Sequence, residues 1–135
     1  MSDKKVFVDS NIFLYLLESY SEKKEKALKI LLSQPIISPQ VVFENINVAM
    51  KKFGFSKVDA VQHGEKLLNE CTLFLDSESS IRKALELIRK DSLPVYDSRI
   101  VASALEAGCE VLYSEDFQHL RTFEGNLTVV NPFIV

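Results

Sequence analysis

Residues 6–11 read Val6-Phe7-Val8-Asp9-Ser10-Asn11, and the reading of this short stretch decides the fold. Three consecutive apolar residues run straight into a carboxylate. A continuous apolar run, as opposed to an alternating one, suits a strand covered on both faces, and such strands belong to parallel sheets. Asp, Ser and Asn are turn formers and helix caps, so the plainest reading of Asp9 is a polar stop at the strand's end. The sharper reading makes Asp9 one member of an acidic group whose partners lie far away in the chain.

Working outward, helical and extended patterns alternate. Ser10 or Asn11 is placed to cap a helix from about Ile12 to Ser19. In residues 22–33, Ala27, Ile30 and Leu31 fall at i, i+3, i+4 and predict a second helix. Ile36-Ile37 reads as a very short strand. Ser38-Pro39 is a strong helix start, Val42, Ile46, Ala49, Met50 and Phe53 form one stripe, and Gly54 is a natural stop. A further helix follows Ser56, with Gly64 as a weak point inside it. Leu73 to Leu75 reads as a buried strand, and residues 77–92 as a helix whose core stripe is Ile81, Leu85 and Ile88. Residues 97–108 predict a helix burying Ile100, Val101, Ala104 and Leu105 and ending at Gly108. Residues 110–114 read as a strand, 115–120 as a turn or short helix, and 127–130 as a final strand. This alternation implies an α/β fold, a central parallel sheet flanked by helices with right-handed crossovers.

Composition sets outer limits. A chain of 135 residues fits one domain over 1–135, long enough for a core without disulfides or a structural metal. The two cysteines, Cys71 and Cys109, lack metal-ligand spacing and suit a reduced, cytoplasmic chain. The longest apolar run, Ile12 to Leu17, falls far short of the roughly 20 residues of a membrane span, and no secretory signal is expected. His63 and His119 stand apart and read as surface or turn residues, which argues against zinc. A net charge of −3 weighs against a polyanionic partner, because phosphate contacts need Lys and Arg.

Parallel sheets bind ligands at the carboxyl ends of their strands, which turns attention to the acids there. Asp9 follows the first strand, Glu44 lies in the helix after the second, Asp97 opens a late helix, and Asp116 follows the strand after it. Taken singly, each has a plain explanation: Asp97 favours the helix dipole, Asp116 suits a turn, and Glu44 suits a solvated helix face. As a set, carboxylates crowd together only if something positive compensates them, and a hard divalent cation with oxygen ligands does so.

At these residues the chain resembles the PIN-domain ribonucleases, and in particular the VapC-type toxins of toxin–antitoxin pairs. VFVDSNIFLY (6–15) is similar to the family's first motif, ISPQVVFENINVA (37–49) to the second, and residues 93–120 to the third and fourth in their usual order. The resemblance implies a three-layer PIN-like fold and assigns Asp9, Glu44, Asp97 and Asp116 as the acids that hold Mg²⁺ or Mn²⁺. Ser114 falls where the family carries Thr or Ser, and Asn11 matches a polar companion of the first Asp. The implied activity is metal-dependent endoribonuclease cleavage of RNA. Asp9 and Asp97 are then the first choices as direct ligands, Asp116 binds directly or through water, and Glu44 orients or deprotonates the attacking water. A cognate antitoxin and a homodimer are implied partners, with the helix face carrying Val41 and Val48 as a candidate dimer surface. Arg99 and Glu115 depart from the pattern, and Glu115 is expected to be exposed; Asp76 receives no catalytic role.

Setting the four site acids aside brings the formal charge from −3 to +1, and lysines and arginines on the helices remain to meet a phosphate backbone. Two other readings compete: a PIN-like protein-binding module that no longer cuts, and an Asp-based phosphotransfer or phosphatase domain. The second lacks the further acid that the phosphatase pattern wants at Asn11, and Asp76 lacks the company of a receiver phosphosite.

Overall fold

The computed structural model describes residues 4–134. Strand β1 (Val6–Val8) lies inside a six-stranded sheet of order β3-β2-β1-β4-β6-β5, completed by β2 (Ile36–Ile37), β3 (Thr72–Leu73), β4 (Val111–Tyr113), β5 (Thr122–Phe123) and β6 (Leu127–Val130). Strands β3, β2, β1, β4 and β6 are parallel, and β5 pairs antiparallel with β6. Phe7 and Val8 are fully buried, as the continuous apolar run of β1 demands. Truncating Phe7 to alanine would cost about 3–5 kcal/mol.

The helices are α1 (Ser10–Leu14), α2 (Glu22–Leu32), α3 (Pro39–Phe53), α4 (Lys57–Glu70), α5 (Glu78–Asp91) and α6 (Val95–Glu106). They flank the sheet in a three-layer α/β arrangement, with α3 packed on α1 and α4, and α5 packed on α6. Pro39 opens α3 and Gly54 closes it at φ +70, a left-handed conformation in which a side chain would be strained. Gly64 is tolerated inside α4 because α3 passes so close: a Cβ there would lie 2.6 Å from Ile46 Cδ1. Close approach, and not chain flexibility, explains this glycine.

Four expectations from the sequence are corrected. The helix after β1 is capped by Asp9 itself, not by Ser10 or Asn11; it spans Ser10–Leu14 and tightens into a 3₁₀ turn over Tyr15–Leu17. The third strand is not a buried one at Leu73 to Leu75. It is Thr72–Leu73 at the sheet edge, where having one neighbour instead of two leaves both residues and Leu75 exposed. Helix α5 buries Ser80, Ala84 and Leu87, while Ile81 and Leu85 are each 53% exposed. Small residues at 80 and 84 let α5 approach α6 closely, and this outweighs the apolar stripe. Val41 is fully buried, so it offers no surface to a second copy.

Candidate functional site

The register of the sheet builds the site. Val8 of β1 pairs with Tyr113 of β4, and Asp9 N donates to Tyr113 O at 2.9 Å, so Asp9 and Ser114 leave adjacent strands side by side. Asp9 is 5% exposed. Its Oδ1 accepts from Ser10 N at 2.7 Å, and its Oδ2 accepts from Ser114 Oγ at 2.8 Å. Asn11 Nδ2 lies 3.4 Å from both Asp9 Oδ2 and Ser114 Oγ, and Asn11 Oδ1 accepts from Glu115 N at 3.2 Å. Ser114 Oγ in turn accepts from Asp116 N at 3.0 Å, which fixes the backbone that carries Asp116. Asn11 and Ser114 thus tie the first turn of α1 to the segment after β4, far apart in sequence.

Glu44 is presented from the first half of α3. Its Oε1 accepts from Ser10 Oγ in a short hydrogen bond and from Gln40 Nε2 at 3.4 Å. Gln40 Nε2 also donates to Tyr96 O at 3.2 Å, tying α3 to the first turn of α6, where Asp97 sits. A cleft of about 180 Å³ is lined by Asp9, Asn11, Glu44, Asp97 and Asp116, with Gln40 in its wall. All four acids singled out in the sequence therefore face one cleft, with Asp9 buried at one extreme and Asp116 exposed at the other.

The electrostatics follow from this crowding. Burial pushes the Asp9 carboxyl up to about 7; the bonds from Ser114 and Ser10 N pull it down, and the charges of Asp116 and Glu44 raise it further. Partial burial also raises Asp97, helped by Asp116 and Glu44. The cleft stores like charge and offers only oxygen donors, the chemistry of a hard divalent cation. Among the described residues no three of His, Cys, Asp and Glu stand close enough together to hold an ion between them. An open set of carboxylates fits an ion that keeps much of its own water, so the residues fit Mg²⁺ or Mn²⁺ in kind.

Several residues around the cleft differ from expectation. Glu115 is not exposed: it accepts from Tyr15 Oη at 2.8 Å and from Lys23 Nζ at 3.3 Å, which buttresses the loop bearing Asp116. Arg99 donates to Asp76 Oδ2 through Nε at 2.9 Å and Nη2 at 2.6 Å, so Asp76 is neutralised in place. His63 is a buried helical residue, not a surface one. Its Nε2 lies 2.9 Å from Asn45 Oδ1, and burial pushes its pKa down to about 4. His119 is a turn residue as expected, with Nδ1 accepting from Asn131 N at 3.0 Å. Gln40 went unremarked as a site residue, although its place one turn before Glu44 was a legible signal.

A parallel sheet with carboxylates gathered at the carboxyl ends of its central strands defines an acid-lined α/β domain. Residues 6–123 match the PIN domain family model, and the chain belongs to the PIN-domain family, whose members are ribonucleases. Among curated proteins none matches the sequence. Solved structures share the fold at low identity. A toxin–antitoxin complex from Klebsiella pneumoniae superposes with a TM-score of 0.72 at 20% identity, over 97% of this chain and 100% of that one. DNA-bound VapBC from Salmonella typhimurium gives 0.69 at 17%, covering 93% and 96%. VapC20 of Mycobacterium tuberculosis, a sarcin–ricin-loop-cleaving toxin, gives 0.65 at 19%, covering 83% and 90%. Family membership leaves the phosphotransfer reading without support. No helix among the described residues is long and apolar enough to cross a membrane.

Proposed function

We propose that this chain, acting as one domain over 1–135, is a metal-dependent endoribonuclease and the toxin half of a toxin–antitoxin pair. The observation that carries the reading is the convergence of Asp9, Glu44, Asp97 and Asp116 on one cleft with only neutral donors around Asp9. Asp9, Asp97 and Asp116 are the residues to hold Mg²⁺ or Mn²⁺, with Glu44 at the edge of the set. When bound, such an ion lowers the pKa of a water and neutralises charge on the scissile phosphate.

The chain's own residues supply positioning and proton transfer. Ser10 and Gln40 aim the Glu44 carboxylate into the cleft, where it accepts the proton of the attacking water. The water oxygen forms a bond to phosphorus, the bond to the leaving oxygen breaks, and that oxygen takes a proton from solvent. Ser114 and Asn11 keep Asp9 in one orientation throughout. Asp9, which burial holds toward its protonated form, would be drawn to its ionised form by a bound cation and would give up its proton below about pH 7.

Relatives of this fold include a Klebsiella pneumoniae toxin–antitoxin complex and VapBC assemblies, which supports a cognate antitoxin here. An Arg or Lys from that partner, entering the acidic cleft, would replace the cation electrostatically and silence the enzyme. Expression from the native operon tests this: a neighbouring gene product should co-purify, and recovery of the chain alone would count against it. The central experiment incubates wild type and Asp97→Asn with a mixed RNA pool, with and without Mn²⁺, and maps the cut ends. Wild type should cut only with metal and Asp97→Asn should not cut; chelator-insensitive cutting by the variant would overturn the reading. Failure of Mg²⁺ and Mn²⁺ to bind would favour the non-cutting module instead.

A further inference from the structure

Beside the acidic cleft lies a second depression of about 470 Å³, lined by Pro39, Gln40, Phe43, Glu44, Tyr96 and Arg99, with Asn47 at its margin. Gln40 and Glu44 line both, so the two are adjacent. Phe43 and Tyr96 are 67% and 64% exposed, large aromatic surfaces left uncovered at the mouth of a site otherwise built of acids. The amide of Gln40 is oriented by two acceptors, Tyr96 O and Glu44 Oε1, which take its Nε2. Its Oε1 is buried and has no hydrogen-bond partner, an orphaned acceptor in the shared wall. Arg99, held by Asp76, brings a guanidinium to the same rim.

We propose that this depression is a nucleobase subsite: Phe43 and Tyr96 stack an unpaired base of single-stranded RNA adjoining the scissile phosphate. Arg99 meets the neighbouring phosphate. The proposal rests on the ribonuclease reading and adds how the substrate is held. A chain of net charge −3 gains less from a phosphate backbone than a basic chain does, which gives a term independent of charge more weight in substrate binding. Base–aromatic stacking supplies one, and it discriminates against paired RNA because a stacked base must first leave its helix. The volume suits a flat ring and its immediate neighbours, within the roughly 300–1,000 Å³ of small-ligand clefts.

The test compares wild type, Phe43→Ala, Tyr96→Ala and Tyr96→Phe on a short RNA containing a mapped wild-type cut site, and on the same RNA with an abasic position on either side of the cut. Both residues are exposed, so the variants should melt like wild type. Phe43→Ala and Tyr96→Ala should lower kcat/KM roughly 5- to 100-fold through KM, the scale of one lost stacking contact. Tyr96→Phe, which keeps the ring, should restore most of what Tyr96→Ala loses. One of the abasic substrates should penalise wild type and leave Phe43→Ala indifferent, the signature of a shared contact. RNA that is cut with unchanged kcat/KM and unchanged positions by both alanine variants overturns the subsite alone. No metal-dependent cutting by wild type overturns the nuclease reading and the subsite with it. Alanine variants that alter oligomeric mass in light scattering, yet cut unchanged, assign the aromatic face to protein contact and also overturn the subsite.

Discussion

Asp9 follows β1 and Asp76 follows β3, so two carboxylates leave the same edge of one parallel sheet. Asp76 receives two nitrogens of Arg99 and, at 3.3 Å, the hydroxyl of Ser103. Asp9 is met by a backbone N–H, a hydroxyl and an amide, all neutral, with three further acids lining the same cleft. The first charge is balanced within the chain; the second has only neutral donors beside it. Position at a strand end is therefore only half of a site. The other half is an electrostatic deficit that the fold maintains and does not relieve.

Substitution at the two aspartates separates these cases most sharply. Asp9→Asn and Asp97→Asn should each lower metal-dependent RNA cleavage ~100-fold or more with the fold retained, as read by circular dichroism. Asp76→Asn should lower cleavage less than ~10-fold, since it removes no group from the cleft. Equal damage at positions 9 and 76 would break the comparison. Cation binding comes next in size: Mg²⁺ or Mn²⁺ at about 100 times its Kd should stabilise wild type by about 2.7 kcal/mol. Calorimetric melting should find most of that gain absent in Asp9→Asn and preserved in Asp76→Asn.

The pH dependence of the metal-free protein sharpens the contrast further. The Asp9 carboxyl lies at about 7 in the fold against 3.8 for a free side chain, so folding favours its protonated form. That contribution is fully present below 3.8 and is lost as pH rises through 7. His63 works the other way: held at about 4 against 6.5, it is folded neutral, and its contribution is lost as pH falls through that interval. Melting in EDTA should therefore give wild type a loss of Tm relative to Asp9→Asn as pH rises from 4 to 7, with His63 cancelling in the difference. The smallest effect is at the Arg99–Asp76 pair, whose side chains are 39% and 20% exposed. Its loss in Asp76→Asn should cost about 1 kcal/mol, read from urea unfolding at unchanged m-value.

Legibility in the sequence varied with the range of the interaction involved. Helix α3 was readable at both ends because proline at its first position and glycine after its last act locally. Helix α5 was readable as a helix but not in its phase. The wheel favoured Ile81 and Leu85, whereas the contact with α6 selected Ser80, Ala84 and Leu87, and only the partner's shape decides between those faces. The antiparallel β5–β6 hairpin was missed for a related reason. Its first strand is two residues long, and its turn sets Glu124 at φ 53 beside Gly125 at φ 74, a conformation with no strong signature in glutamate. Glu115 looked like a surplus acid until Tyr15 and Lys23 came to meet it from elements nearly a hundred residues away.

By itself the sequence determined the buried central strand, the alternation of helices and strands as far as β4 and the strand-end stations of the acids, because burial periodicity and capping are settled between near neighbours. Tertiary structure alone decided that Asp9 would face Ser114 across a fixed register, that Gln40 would hold Glu44 and leave its own carbonyl oxygen unpaired, and that Arg99 would be anchored by Asp76. These are choices among partners distant in the chain. Sheet register and helix packing set their distances, and no local pattern encodes them.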